Sequence, residues 1–178
     1  IIGGQWKRTP LPVADKPGLR PTPDRVRETL FNWLGQDLNG WRCVDAFAGT
    51  GALGFEAASR GATQVLMLEQ DTALVAQLRT VQLRLGAHAV TVQRGEGVAA
   101  LKGLAPASVD LVFLDPPFDA NLYDSALRAC GPALAAQAMV YLEAPQAWDD
   151  ARLAPWGLQV HRYLKAGAVH AHLLHRLP

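Results

Sequence analysis

Two short runs hold the residues best suited to chemistry. The first is Gly49-Thr50-Gly51-Ala52-Leu53-Gly54, a G-x-G-x-x-G pattern. Glycines at these spacings permit a tight turn and let a ligand approach the backbone, provided a strand precedes the turn and a helix follows. The second is Asp115-Pro116-Pro117-Phe118. Consecutive prolines remove amide donors and stiffen the chain. The Pro116 carbonyl and the Asp115 carboxylate can then both face a cleft as acceptors, and Phe118 can offer a flat face to a planar substrate. A conjugated exocyclic amine carries two N–H bonds and a lone pair held in resonance. Two fixed acceptors take those N–H bonds and turn the lone pair towards an electrophile, through orientation and preorganised electrostatics.

Dinucleotides and S-adenosylmethionine both bind such a glycine turn. Glu69, at the end of the second core strand, suits either, because a carboxylate there can accept both ribose hydroxyls. Asp45 separates the two. A carboxylate just before the turn would repel a pyrophosphate, whereas it suits the cationic methionine end of S-adenosylmethionine. The run from Val44 to Gly51 therefore favours the methyl donor.

These residues need a scaffold, and the chain supplies one from residue 41 onward. Apolar runs at 42–47, 64–69, 89–93, 109–114 and 138–143 read as buried strands, separated by helical patterns at 52–60, 72–85, 97–102 and 122–134. Alternation of this kind predicts a doubly wound parallel sheet with helices on both faces. Segments 158–164 and 169–176 read as a terminal antiparallel pair, for seven strands in all. Ligands in such sheets sit at the carboxyl ends of the strands. Upstream, Thr22-Pro23 reads as a helix start with Thr22 as N-cap, followed by an apolar stripe of Val26, Leu30, Trp33 and Leu34. Residues 1–21 hold four prolines and read as an extended arm or short hairpin before a domain at 22–178.

With 178 residues and 49% hydrophobic composition the chain is neither disordered nor membrane-spanning. No secretory pattern opens it, and its first residue is not Met, so a few native residues are expected before it. Cys43 and Cys130 are too few for a disulfide framework and read as buried thiols in a reducing compartment, the cytoplasm. The overall charge of +1 identifies no partner, but residues 1–27 hold six basic residues against two acidic ones. Such an arm suits a polyanion or a solvated surface equally. Trp6 beside Lys7 and Arg8 suits RNA, where rings stack and cations meet phosphates, but on its own it suits better a ring that packs the arm onto the body. His170, His172 and His175 lie on the last strand, without an evident third metal ligand. They read as an exposed strand, and no metal is expected. Trp148 and Trp156 read as packing residues.

Taken together, the residues resemble the S-adenosylmethionine-dependent amino-group methyltransferases with a [DNS]-P-P-[YFW] signature, a class I Rossmann-like fold. Ile1-Ile2-Gly3-Gly4-Gln5-Trp6, Gly18-Leu19-Arg20-Pro21-Thr22 and the run from Asp24 to Leu34 extend the likeness over the whole chain to the bacterial RsmD family. That resemblance implies methylation of a guanine N2 amine in 16S rRNA, within a small-subunit particle, by a cytoplasmic monomer. It implies that Asp45, Phe47, Gly49 and Gly51 line the cofactor pocket, that Glu69, with Gln70 beside it, holds the ribose, and that Asp115, Pro116, Pro117 and Phe118 hold the guanine. Trp6, Lys7, Arg8, Arg20, Arg25 and Arg27 would meet RNA or close over the cofactor. The family usually places Asp or Asn after the third strand, at the adenine amine. Here Glu96 stands there, next to Gly97, whose amide could serve adenine N1.

The Asp-Pro-Pro-Phe run alone also fits a DNA adenine-N6 methyltransferase. A protein glutamine methyltransferase usually begins the run with Asn. An NAD-dependent oxidoreductase is opposed by Asp45 and by the lack of a hydride-transfer constellation. A non-catalytic RNA-binding module is opposed by the intact acceptors at Asp115 and Glu69.

Overall fold

Strand and helix alternate because each apolar run is cut by a glycine, a proline or a helix cap. The computed structural model describes residues 1–13, 16, 19 and 22–178. Helix α1 (Asp24–Leu34) precedes β1 (Arg42–Asp45), α2 (Ala52–Ser59), β2 (Gln64–Glu69), α3 (Thr72–Leu85), β3 (Val90–Arg94) and α4 (Gly97–Lys102). Then follow β4 (Val109–Leu114), α5 (Tyr123–Cys130), β5 (Leu134–Ala144), α6 (Asp150–Leu153), β6 (Leu158–Ala166) and β7 (Val169–Arg176). The seven strands form one sheet in the order β3-β2-β1-β4-β5-β7-β6. Neighbours from β3 to β5 pair in parallel, and β7 runs antiparallel to both β5 and β6. The strand order reverses between β1 and β4, so their carboxyl ends open a crevice at the switch point.

Alternation along the strands divides the core. Cys43, Met67, Phe113 and Tyr141 pack with α1, α2 and α3 on one face, while Val44, Leu68, Leu114 and Leu142 pack with α4 and α5 on the other. Local caps fix both ends of α3, whose start borders the crevice. Asp71 accepts the Leu74 amide at 3.0 Å to start α3. Gly86, at φ +63°, lets α3 stop in the left-handed conformation.

Several boundaries differ from the sequence reading. Strand β1 ends at Asp45 rather than residue 47, because Ala46 begins the turn into α2. The apolar stretch expected as a helix to residue 134 is helical only to Cys130 and passes through a 3₁₀ turn at Gly131–Ala133. Pro132 has no amide to continue the α-helical ladder. Strand β5 therefore begins at Leu134, four residues before the expected 138. Helix α1 starts at Asp24 with Pro23 at the cap position, and no side chain caps it.

The amino-terminal segment is less free than an arm. Ile1 is buried, Gly4–Trp6 form a 3₁₀ turn, and the Trp6 amide donates to the Ser59 hydroxyl at 2.9 Å. Gly4 has φ +74°, and a Cβ there would lie 2.0 Å from the Ser59 carbonyl oxygen, so only glycine lets the segment approach α2 so closely. His172 departs from the expected exposed strand. It is fully buried, its Nε2 accepts the Trp148 amide at 2.9 Å, and its Nδ1 faces the Leu142 carbonyl at 3.0 Å. Burial lowers its pKa, which keeps the ring neutral in that role. Trp148 is buried as expected, with the Arg152 guanidinium 3.5 Å from its ring centre.

Candidate active site

A cavity of about 260 Å³ opens at the carboxyl ends of β1, β2 and β4. Asp45, Phe47, Gly49, Glu69, Gln70, Gly97, Asp115, Pro116 and Pro117 all line it. The structure thus gathers most of the sequence-predicted site. Leu19 and Thr22 close the cavity from the amino-terminal side.

The glycine turn is built from the bottom of the cavity upward. Asp45 is buried, and its Oδ2 accepts the Gly54 amide at 3.1 Å, which ties the end of β1 to the first turn of α2. Gly49 and Gly51 have φ values of +55° and +82°. A Cβ on Gly51 would lie 2.6 Å from the Phe55 ring and 2.7 Å from Leu78, so this position needs glycine for both backbone and space. Gly54 is helical, and a Cβ there would meet the Met67 methyl at 2.4 Å.

The electrostatics are acidic. Burial pushes the Asp45 carboxyl up to about 7, against the opposing pull of the Gly54 amide, and the nearby Glu69 charge pushes it the same way as burial. Glu69 accepts the Gly49 amide on Oε1 at 3.0 Å and the Asp71 amide on Oε2 at 2.8 Å. Each oxygen retains a further lone pair for a hydroxyl donor. Two carboxylates and a cradle that side chains would fill fit a cationic, hydroxyl-bearing ligand.

The acceptor loop leaves β4 at Asp115. Asp115 is half-buried and Pro116 buried, while Pro117 is exposed. The register Phe113↔Tyr141 and Leu114↔Leu142 brings the start of this loop close to Glu143 on β5. Phe118 is half-buried and does not line the cavity; Ala120 and Leu122 do so instead. The ring proposed to face a planar substrate therefore lies outside the cavity wall.

Glu96 also departs from its expected role. Its two carboxylate oxygens accept the Val98 and Ala99 amides at 3.0 and 2.6 Å, so it caps α4 and does not line the cavity. Gly97 does line it, and a Cβ there would sit 2.2 Å from the Ala46 carbonyl oxygen.

The residues expected to meet RNA divide by exposure. Lys7, Arg8 and Arg25 are exposed, and Trp6 is half-buried against the core. Arg20 lies outside the described residues. Arg27 is buried and unavailable to a polyanion: its Nε donates to Glu56 at 3.3 Å and its Nη2 to Asp24 at 2.8 Å. Glu56, fully buried, also accepts the Arg60 Nε at 3.0 Å and the amides of Ile2 and Gly3 at 2.8 and 3.0 Å. Sequence reading assigned no role to Glu56, Glu143 or Tyr141. An acidic residue inside the otherwise apolar α2, with Arg60 four positions on, is the one signal that marks Glu56. Among the described residues no group of three or more His, Cys, Asp or Glu is placed to hold a metal, and no helix is long and apolar enough to cross a membrane.

Comparison with known proteins gives this geometry its context. Residues 1–175 match the family model described as "Conserved hypothetical protein 95". The chain is 40% identical over 180 aligned positions to the Ribosomal RNA small subunit methyltransferase D of Escherichia coli strain K12, with 99% of this chain and 89% of that protein covered. The chain belongs to the RsmD family. The Haemophilus influenzae member of that name is 41% identical over 150 positions, with 80% of this chain and 77% of that protein covered. RsmD-like architecture extends to the solved structure of Escherichia coli yhhF, at TM-score 0.87 and 38% identity, covering 99% of this chain and 97% of that one. A solved Haemophilus influenzae structure superposes with TM-score 0.81 at 33% identity, covering 100% of this chain and 98% of the other.

Proposed function

We propose that this protein transfers a methyl group from S-adenosylmethionine to the exocyclic N2 amine of a guanine in 16S rRNA. As a member of the RsmD family it is a methyltransferase of the α/β Rossmann-like class. The single observation that carries the reading is the convergence of two acceptor sets on one cavity, Asp45 and Glu69 on one side and Asp115 with Pro116 on the other.

Asp45, Glu69 and the amides around Gly49 are the residues to hold the cofactor. Bound there, S-adenosylmethionine supplies an electrophilic methyl on a sulfonium. The buried Asp45 carboxylate complements positive charge and Glu69 accepts ribose hydroxyls. The Asp115 carboxylate and the Pro116 carbonyl take the two N2–H bonds of the guanine and aim its lone pair into the cavity. Asp115 also accepts the proton that the amine loses on methylation. The base must be unpaired or turned out of its stack to enter. Lys7, Arg8 and Arg25, all exposed, are suited to phosphates. The chain acts as a monomer in the bacterial cytoplasm on a small-subunit particle.

Methyl-label transfer to small ribosomal subunits from cells lacking this activity, followed by nucleoside analysis, tests the reading. Label in N2-methylguanosine supports it. Label in N6-methyladenosine keeps the chemistry and overturns the substrate.

A further inference from the structure

Among the described residues lining the cavity Thr22 is the one hydroxyl besides Thr50, and its hydrogen is already committed. Its Oγ1 donates to Glu143 Oε1 at 3.2 Å, and the Tyr141 hydroxyl donates to the same oxygen at 2.7 Å. A carboxylate oxygen only accepts, so both hydroxyls must point their hydrogens at it. The Thr22 carbonyl is held in turn by Arg27 Nη1 at 3.4 Å. Thr22 and Glu143 are both buried, at 4% and 0% exposure. A hydroxyl with its hydrogen turned inward offers only lone pairs to a ligand in the cavity.

The Glu143 that holds this hydroxyl lies on the strand beside the acceptor loop. Glu143, at the end of β5, neighbours Asp115 at the end of β4, and the Asp115 charge acts on the Tyr141 hydroxyl. Thr22 and Asp115 line the same cavity. A base whose amine is held by Asp115 and Pro116 lies in the cavity that Thr22 also lines, where an atom beside that amine can meet a third acceptor. Three nucleobases carry an exocyclic amine. In guanine the neighbouring ring nitrogen on the Watson–Crick edge, N1, bears a hydrogen. In adenine the nitrogen beside N6, and in cytosine the nitrogen beside N4, bears a lone pair. An acceptor on the Watson–Crick side of the amine binds the first and repels the other two, whereas on the far side it would face the N3 lone pair of guanine.

We infer that Thr22 is a specificity-determining residue that accepts guanine N1–H, and that Glu143 is a positioning residue that fixes the polarity of the Thr22 hydroxyl. This rests on the guanine-N2 reading proposed above. Mispairing a buried polar group is heavily penalised, so the expected discrimination is large.

The test uses small subunits reconstituted on rRNA carrying either guanine or 2-aminopurine at the position the wild-type protein methylates. 2-Aminopurine keeps the 2-amine but has a lone pair at N1. Wild type should favour guanine in kcat/KM by about 100-fold. Thr22→Val should reduce that ratio to within about tenfold, while its affinity for S-adenosylmethionine, measured by calorimetry, stays unchanged. Thr22→Ser should restore the ratio. Glu143→Gln should also narrow it, because the amide can donate to Thr22 and free the hydroxyl hydrogen to face the base. Equal use of the two bases by wild type overturns the inference, as does an unchanged ratio in Thr22→Val. So does loss of cofactor binding in Thr22→Val, which would make Thr22 a cofactor contact. With N2-methylguanosine formed in each of these cases, the proposed function survives. Label in N6-methyladenosine instead overturns both.

Discussion

The Gly49 amide donates to the Glu69 carboxylate at 3.0 Å, which straps the glycine turn after β1 to the end of β2. The carboxylate assigned to the ribose is thus also part of the frame that shapes the turn. Glu69→Ala removes both roles. Calorimetric titration should show S-adenosylmethionine binding weakened by at least about tenfold, as expected when a charged acceptor is lost. Glu69→Gln keeps acceptors and should lose less. Equal affinity in Glu69→Ala and wild type would remove Glu69 from the cofactor site.

Asp45 gives a pH signature. Burial holds its carboxyl at about 7, well above its ordinary value of 3.8, so the free protein takes up a proton there as pH falls through neutrality. A cationic ligand favours the ionised form. Affinity for S-adenosylmethionine should therefore fall as pH drops below about 7 and level off above about 8, with a proton released on binding near pH 7. Titrations in buffers of different ionisation heat read that proton directly. The stability effect has the opposite sense. A raised carboxyl pKa stabilises the fold most below the unfolded value and loses that contribution as pH rises through about 7. Asp45→Asn should thus raise the melting temperature of the free protein at pH 8 while weakening the cofactor and flattening its pH profile.

Arg25 and Arg27 are two residues apart on α1 and should behave differently. Arg27→Ala leaves the buried Glu56 with one guanidinium fewer and should cost about 3 kcal/mol or more, seen as a melting temperature lower by roughly 6 °C or more. Arg25→Ala, at an exposed position, should leave melting unchanged. It should weaken substrate binding and lower the salt dependence by about one counterion. A stable Arg27→Ala with a reduced salt slope would reverse these assignments.

Asp115→Ala should lower turnover on small subunits by at least about 100-fold with cofactor affinity intact. Asp115→Asn keeps an acceptor oxygen but is a poor base, so it should retain a measurable part of the rate. Unchanged turnover in Asp115→Ala would remove the residue from the reaction.

The site was legible where its information is local. The glycine turn and the Asp-Pro-Pro-Phe run encode their backbone shapes within a few residues, and the strands before them are short, mostly apolar runs. The misread residues are those whose partners lie far along the chain. Nothing near Thr22 announces Glu143, 121 positions away, so its hydroxyl looked like a helix cap. Arg27 looked like a surface cation because Glu56 is 29 positions on. Glu96 was the reverse case: a cap for the next helix, two and three residues ahead, explains it without a ligand. The start of β5 was legible in Gly131-Pro132, a turn-forming pair that the helical reading of 122–134 ran through.

Gly95 and Gly97 stand two positions apart on the same wall of the cavity, yet they have unequal freedom. A methyl group at 97 would collide with the Ala46 carbonyl, whereas one at 95 would meet nothing within 4 Å. Remodelling this pocket for altered cofactor analogues should therefore begin at 95. Any added bulk at 97 would push α4 away from the turn that follows β1, and the wall would move before the ligand did.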